Sequence, residues 1–489
     1  MCVGNMLTKR FNILIILLSA FLLRIYRLPE LLGFWYDQGR DALVIWDLIN
    51  KGKLFLIGPM MGFTGMFRGP WYYYLIAPFY YLGKGNPIFP SFFLISITVF
   101  AIYVLYDVGN KLGGKSVGLL AAFLAGFSSY IINSSRWLSN PTPMLLIGIA
   151  LVWVFFRYLE KKVWSLPLAT FLIGMGLNFG AATEIYYIPA LILILFINRK
   201  ILPSLKILIL SLMTFLFTFL PQMIFEIRHP GVLSGALYNF IFQENSFTYN
   251  FVQILILRLK TYYDIFASKF FVNGNLLFLP FFVLFIFNIF RNFKKYWKED
   301  RFKIVFILFL APFLGTLFFV SNLGGFYDYY FTGYYLIFIL FFSFIFINLT
   351  KLKFGKFILI IFMSIFLFKN YQSFKFNYGK SLNDGEIIAF KNQLSVINWI
   401  KSDSKNNPFN VDVYVPPVIP YAYEYLFLWQ NLGQQEKLTT VLYTLYEIDP
   451  PHPERLEAWL DRQDGIGKVT ESVKFGGITV DKRERITHE

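Results

Sequence analysis

Long apolar runs alternate with short polar turns along this chain, and they are too continuous to be the one-sided stripes of soluble amphipathic helices. Runs at 11–28, 88–110, 116–134, 142–157, 165–178, 184–198, 204–224, 275–290, 303–321, 330–348 and 355–369 read as membrane-spanning helices. An upright span takes about 20 residues, so the shorter runs mark the apolar centres of spans. The pattern predicts an all-α polytopic membrane protein with about 11 transmembrane helices.

Two further helices are predicted in the long segment 29–87. Asp41–Gly52 has one apolar and one polar face, the pattern of a helix lying along the interface. Trp71–Leu82 is aromatic and apolar but short, which suits a re-entrant or juxtamembrane helix. From about Tyr371 the apolar runs shorten, and Asn, Asp, Lys, Pro and Gln become common. Asn410–Val415 alternates like a strand, Tyr421–Asn431 looks helical, and Gly476–Asp481 reads as another short strand. The expected organisation is a transmembrane domain over 1–370, with 29–87 as its long first outer loop, and a small extracytoplasmic α/β domain over 371–489. No tandem repeat is visible.

Composition agrees with this class. Only 15% of the 489 residues are charged, against about 25% in soluble proteins. Phe (60) and Tyr (31) suit lipid-facing helices and interfacial belts. The net charge of +16 invites a nucleic-acid reading, but its distribution argues against one. Lys and Arg fall mainly in short turns: Lys111/Lys115, Arg157/Lys161/Lys162, Arg199/Lys200/Lys206, Arg291–Lys303 and Lys351/Lys353/Lys356. With eleven spans and a cytoplasmic N-terminus, all of these turns lie inside and the C-terminus lies outside, as the positive-inside rule requires. Lys9 and Arg10 before Phe11–Leu23 imitate a signal peptide, but no small-residue cleavage site follows. The single Cys2 excludes an internal disulfide and a multi-thiolate metal site.

The same topology turns 29–87, Ser134–Pro141, 225–273 and Ser321–Tyr330 outward together. Their polar residues are the candidate chemistry. Asp37 and Asp41 are one helical turn apart with Arg40 beside them. Burial raises a carboxylate's pKa and a neighbouring guanidinium lowers it, so either acid suits a general base for an acceptor hydroxyl. The plain alternative is a helix start with a local ion pair. Arg68, ahead of Trp71-Tyr72-Tyr73-Tyr74, suits a phosphate clamp or a snorkelling interfacial cation. Arg136 and Asn140 offer a second cation and an amide, or simply form a turn. Glu184, at the tip of a helical hairpin, reads as a second acid or a solvated loop residue. Glu226, Arg228 and His229 follow the 204–224 span, and Tyr327, Asp328 and Tyr330 complete the outward set. The histidines His229, His452 and His488 are too scattered for a zinc site.

Four stretches together carry a family likeness: Asp37-Gln38-Gly39-Arg40-Asp41, Arg68-Gly69-Pro70-Trp71-Tyr72-Tyr73, Ser135-Arg136-Trp137-Leu138-Ser139-Asn140-Pro141 and Leu220-Pro221-Gln222-Met223-Ile224-Phe225-Glu226-Ile227-Arg228-His229. In this order they resemble the GT-C class of integral membrane glycosyltransferases. The closest group is family 39, which includes protein mannosyltransferases and the lipid A aminoarabinose transferase. The likeness covers about 10–350 and implies a GT-C-like fold. It also implies transfer of a sugar from a polyprenyl-phosphate donor to a glycan, lipid or protein acceptor on the outer face of the membrane, by inversion. Asp37 falls at the family's proposed base, with Arg40 or Asp41 orienting it. Some members carry a second acid where Asn140 stands, and others a Lys where Gly69 stands, so Asn140 becomes a positioning residue and Arg68 a phosphate contact one step out of register. Arg136 and Arg228 are further phosphate candidates, and Tyr72 and Tyr73 are expected to line the lipid groove. Glu184, Glu226, His229, Tyr327 and Asp328 are expected near the substrates. No resident cofactor is implied. Divalent metal stays open, with Asp37, Asp41 and Glu184 as its candidate ligands. The rival reading is a lipid-linked sugar transporter or flippase; the placement of the polar groups at helix ends rather than mid-membrane favours an enzyme.

Overall fold

The structure is a computed structural model that describes residues 2–61, 65–180, 182–243, 249–319, 325–405, 407–416 and 419–486. The part of the expected outer turn at 321–324 lies outside the described residues. Helices α1 (Cys2–Ile25), α2 (Leu28–Leu31), α3 (Tyr36–Lys51) and α4 (Trp71–Leu82) open the chain. The helical bundle continues with α5 (Ile88–Gly113), α6 (Lys115–Phe127), α7 (Ser129–Arg136), α8 (Met144–Leu159), α9 (Ser165–Phe179) and α10 (Tyr187–Ile197). Then follow α11 (Leu205–Phe217), α12 (Leu220–Arg228), α13 (Val232–Phe242), α14 (Phe251–Ser268), α15 (Asn275–Tyr296), α16 (Asp300–Thr316), α17 (Tyr335–Leu349) and α18 (Gly355–Tyr378).

Every apolar run of the sequence coincides with a helix or a bent helix pair of the bundle, which makes the chain a multi-pass membrane protein. Among the described residues four helices are long and apolar enough to cross a membrane as single rods, and α6–α7 and α11–α12 make two more spans if each bent pair is one. The bends are 63° and 58°. At the first, the Ser128 hydroxyl caps the new helix by accepting from the Ile131 amide at 3.3 Å. At the second, Pro221 falls in the first turn of α12, where its missing N–H costs nothing.

The bundle core is built from phenylalanine. Phe266, Phe270, Phe278, Phe285 and Phe342 pack edge-on or offset, with ring centroids 4.4–6.2 Å apart, the spacing aromatic quadrupoles prefer. Helix α17 runs through this cluster almost fully buried, whereas α18 is largely exposed on the outside.

The change of composition at 371 falls inside α18, and the mixed segment begins after it. Helix α19 (Phe390–Ser404) precedes strand β1 (Phe409–Tyr414), α20 (Tyr421–Gln430), β2 (Val441–Glu447), α21 (Pro453–Asp464), β3 (Gly467–Phe475) and β4 (Ile478–Arg485). The sheet order is β1-β2-β4-β3, with β1 and β2 parallel and the other pairs antiparallel. Parallel pairing needs a crossover, and α20 supplies it.

This α/β unit sits against the first loop. The Gln393 amide donates to the Phe34 carbonyl at 3.0 Å, Trp429 Nε1 to the Lys84 carbonyl at 2.9 Å, and the Tyr425 hydroxyl to the Gly85 carbonyl. The ring of Tyr36 meets that of Tyr421 at 5.0 Å. Glycine at 39 makes this docking possible, because a β-carbon there would overlap the backbone of Tyr421 and Ala422.

Candidate functional site

The site begins at the first turn of α3. The predicted interfacial helix starts earlier than its periodicity suggested, at Tyr36, because the Gln38 side chain accepts from the Trp35 amide at 3.1 Å and closes the helix start. Asp37 and Asp41 therefore share a face and grip one cation between them. Arg40 Nη1 lies 2.8 Å from Asp37 Oδ1, and Nη2 and Nε lie 2.8 and 3.0 Å from Asp41 Oδ1. The two acids differ in setting. The Asp37 side chain is 51% exposed and that of Asp41 only 5%. Burial pushes the Asp41 carboxyl up to about 6 against the pull of Arg40. Burial also pulls Arg40 down, but Asp41 and Asp37 outweigh it and hold the guanidinium above its ordinary value.

A second group forms around the C-terminus of α9. The last carbonyls of a helix have no intrahelical partner and carry partial negative charge. The Phe179 carbonyl accepts from Asn140 Nδ2 at 2.7 Å and from Arg68 Nη1 at 3.3 Å. Arg68 is half-buried, and desolvation lowers its pKa; Glu184, Tyr329, Tyr330 and Asp41 oppose that shift electrostatically. Glu184 is buried rather than solvated at a hairpin tip, on a 3-10 turn at Thr183–Tyr186, next to Gly180 and Gly333. The halves are joined by Gln38 Nε2, which donates to the Leu138 carbonyl at 3.2 Å, and by Tyr73, whose hydroxyl stands 3.5 Å from Asp41 Oδ1. Asp37, Arg40, Asp41, Arg68, Asn140 and Glu184 are thus brought into one neighbourhood.

Other expected site residues have different surroundings. Tyr72 and Tyr73 are buried in the core beneath α3 rather than lining an open groove. Arg136 donates to the carbonyls of Arg24 (3.1 Å) and Tyr26 (2.7 Å) and lies 4.2 Å from the Tyr378 ring centroid, tying the end of α1 to the end of α18. Glu226 caps α13, accepting from the Gly231 and Leu233 amides at 2.8 Å. Arg228 is exposed, and the His229 ring packs tilted against that of Phe225, centroids 4.7 Å apart. Tyr327 is exposed and stacks on Tyr329 at 5.6 Å. Asp328 pairs with Lys269 at 2.7 Å.

That lysine was missed in the sequence, although a cation between apolar aromatics is itself a signal. It is fully buried, with Nζ 3.4 and 3.9 Å from the ring centroids of Tyr130 and Tyr335, and burial brings it down to about 8 despite Asp328. Among the described residues no three His, Cys, Asp or Glu side chains gather as metal ligands. Asp37 and Asp41 both turn to Arg40, while Glu184 lies in the field of Arg68, so these acids do not converge as a ligand set.

Residues 54–225 match the family model described as dolichyl-phosphate-mannose-protein mannosyltransferase. No curated protein sequence matches. Among solved structures, the chain is similar to ArnT from Cupriavidus metallidurans bound to undecaprenyl phosphate, at 10% identity over 99% of this chain and 98% of that one, TM-score 0.56. The apo form of the same ArnT gives 10% identity over 98% of each chain, TM-score 0.58. The archaeal oligosaccharyltransferase AglB from Archaeoglobus fulgidus, in complex with an inhibitory peptide and a dolichol-phosphate, gives 10% identity over 94% of this chain and 73% of that one, TM-score 0.51. The fold is that of the GT-C class of membrane glycosyltransferases, as the four sequence stretches implied. The mannosyltransferase-type match begins at Leu54, after α3, and ends within α12, so Asp37, Arg40 and Asp41 lie outside it.

Proposed function

We propose that the protein moves a sugar from a polyprenyl-phosphate donor to an acceptor hydroxyl, with inversion at the anomeric carbon. One observation carries this reading: a half-exposed carboxylate, Asp37, is tied through Arg40 to buried Asp41, and Asp41 lies in the field of a half-buried cation, Arg68. The similar structures support it, since they hold undecaprenyl phosphate in one case and dolichol-phosphate in the other.

Asp37 takes the acceptor's proton because it is the acid that solvent, and hence a hydroxyl, can reach. Arg40 fixes its orientation, and buried Asp41 fixes Arg40. The acceptor oxygen then bonds to the anomeric carbon as the carbon–oxygen bond to phosphate breaks. The departing polyprenyl phosphate gains negative charge, which Arg68 offsets in a partly desolvated setting. Asn140 and the Phe179 carbonyl hold Arg68 in place. The N-terminus is assigned to the cytoplasm, and the site with the 371–489 unit to the opposite side, on the strength of the basic turns.

The test is transfer from undecaprenyl-phosphate-linked sugars by the purified protein in liposomes. Release of undecaprenyl phosphate coupled to sugar on the acceptor is the expected outcome. Movement of labelled lipid across the bilayer with its sugar still attached would establish a flippase instead.

A further inference from the structure

The end of the bundle opposite the candidate site holds a cavity of about 440 Å³. Helix α9 joins the two places. Phe179, which accepts from Arg68 and Asn140, closes its far end, while Ser165 and Leu166, at its start, line the cavity. A helix of 15 residues sets these ends about 20 Å apart. Helix α11 begins at the same cavity, with Ser204 and Ile207 in the wall. Neither helix start has a side-chain cap, so both aim partial positive charge at one space. The ends of α8 and α10 also meet there, but their own turns close them. The Lys161 and Lys162 amides donate to the Tyr158 and Arg157 carbonyls at 2.8 and 3.1 Å, and the Asn198 amide to the Ile194 carbonyl at 3.1 Å.

Three lysines, Lys161, Lys162 and Lys200, line this cavity and are exposed. Among the described residues none of them forms an ion pair; the adjacent acid, Glu160, is taken by Arg157 at 2.7 Å and Arg301 at 3.5 Å. The wall also includes Tyr158, a buried residue whose hydroxyl has no hydrogen-bond partner in the protein. Cations, two helix starts and a spare O–H donor together suit an anion rich in acceptors, as a phosphate is. The rim decides what carries that phosphate. Val163 and Leu202 line the cavity and are exposed, and α11 continues from it with exposed Leu205, Ile209, Leu212 and Met213 as part of a bent apolar span. A soluble phosphate leaves that apolar flank unused, whereas the acyl chains of a phospholipid cover it. Basic pockets between membrane helices hold lipid headgroups in just this way. We propose that the cavity binds the phosphate of an anionic phospholipid in the leaflet opposite the candidate site, with an acyl chain laid along α11. Such a lipid is separate from the donor assigned to Arg68.

The test is native mass spectrometry of the full-length protein in detergent, titrated with dioleoyl phosphatidylglycerol and, separately, with dioleoyl phosphatidylcholine. Wild type is expected to bind the anionic lipid about tenfold more tightly. A triple variant, Lys161→Gln with Lys162→Gln and Lys200→Gln, should lose most of that preference. A second triple variant, Lys351→Gln with Lys353→Gln and Lys356→Gln, removes as many charges from another basic turn and should keep it. Equal losses in the two variants overturn the site, because any basic turn then serves. Wild type without a preference overturns it too. Glycerol phosphate, a headgroup without chains, should fail to displace phosphatidylglycerol even in large excess. Displacement would make the occupant a soluble phosphate and overturn the lipid assignment. The lipid-free thermal midpoint of each variant reports its folding. Should the first triple variant not fold, Lys200→Gln alone decides: a loss of about threefold supports the site, and an unchanged preference overturns it.

Discussion

The two longest segments between spans, residues 29–87 and 225–273, carry similar side chains and place them differently. In the first, an ion-paired cluster within one helical turn is fixed from outside by partners distant in sequence. Asp41 lies beneath Arg40 and Tyr73, Gln38 reaches the Leu138 carbonyl, Arg68 reaches Phe179, and Gly39 receives the backbone of α20. At the start of the second, Glu226 caps the helix that follows it, while Arg228 and His229 stay at the surface beside their own helix; only at its far end is a cation, Lys269, held by a distant partner, Asp328. A polar residue near a membrane edge becomes part of a site when distant elements fix it. Local capping is what such residues do otherwise.

The sharpest way to break the comparison is at Arg68. Arg68→Ala should lower transfer by about a hundredfold, the usual cost of removing one group that stabilises developing charge, measured as kcat with the lipid donor. Next is the seam with the α/β unit. Gly39→Ala overpacks against Ala422 and should cost about 1–3 kcal/mol, read as a lower thermal midpoint, with transfer falling alongside it. A smaller effect concerns pH. Glu447 is buried beneath the same seam, and burial pushes it up to about 7 against the Tyr423 hydroxyl at 2.8 Å and Gln393. The folded protein therefore holds a proton that the unfolded chain releases near its ordinary value. Stability from that proton is full below the unfolded pKa and fades as pH rises through about 7. Thermal midpoints should fall over that window in wild type and fall less in Glu447→Gln. Smallest of all, Arg228→Ala should change transfer by less than about twofold, as an exposed cation without buried partners does.

Much of this was legible in the sequence, for reasons that differ by element. Membrane helices announce themselves because every backbone group must be paired inside the segment. Trp71–Leu82 was read with the ends it has, and α20 within one residue. Which helix is central was not legible. The span containing α17 and the span of α18 have mean hydropathies of 2.0 and 1.5, yet 89% of one and 17% of the other is buried. Lipid and protein interior are equally apolar solvents, so the pattern looks alike in both. The motif Asp37-Gln38-Gly39-Arg40-Asp41 pointed to the site, but not to which of its acids is buried. That depends on α4 and α20, which arrive from elsewhere in the chain. Arg136 shows the limit most clearly. It lies in a stretch that carries the family likeness, yet its hydrogen bonds go to the end of α1.

The most direct measurement is single-turnover transfer by Asp37→Asn protein in liposomes, beside Asp41→Asn. Asparagine keeps the size of Asp37 but cannot accept a proton at neutral pH. The account predicts a loss of at least about a hundredfold for Asp37→Asn with donor lipid still bound. Asp41→Asn should lose less, because Asp41 acts only through Arg40. Wild-type rates from Asp37→Asn, or a deeper loss from Asp41→Asn, would contradict the assignment of Asp37 as the base.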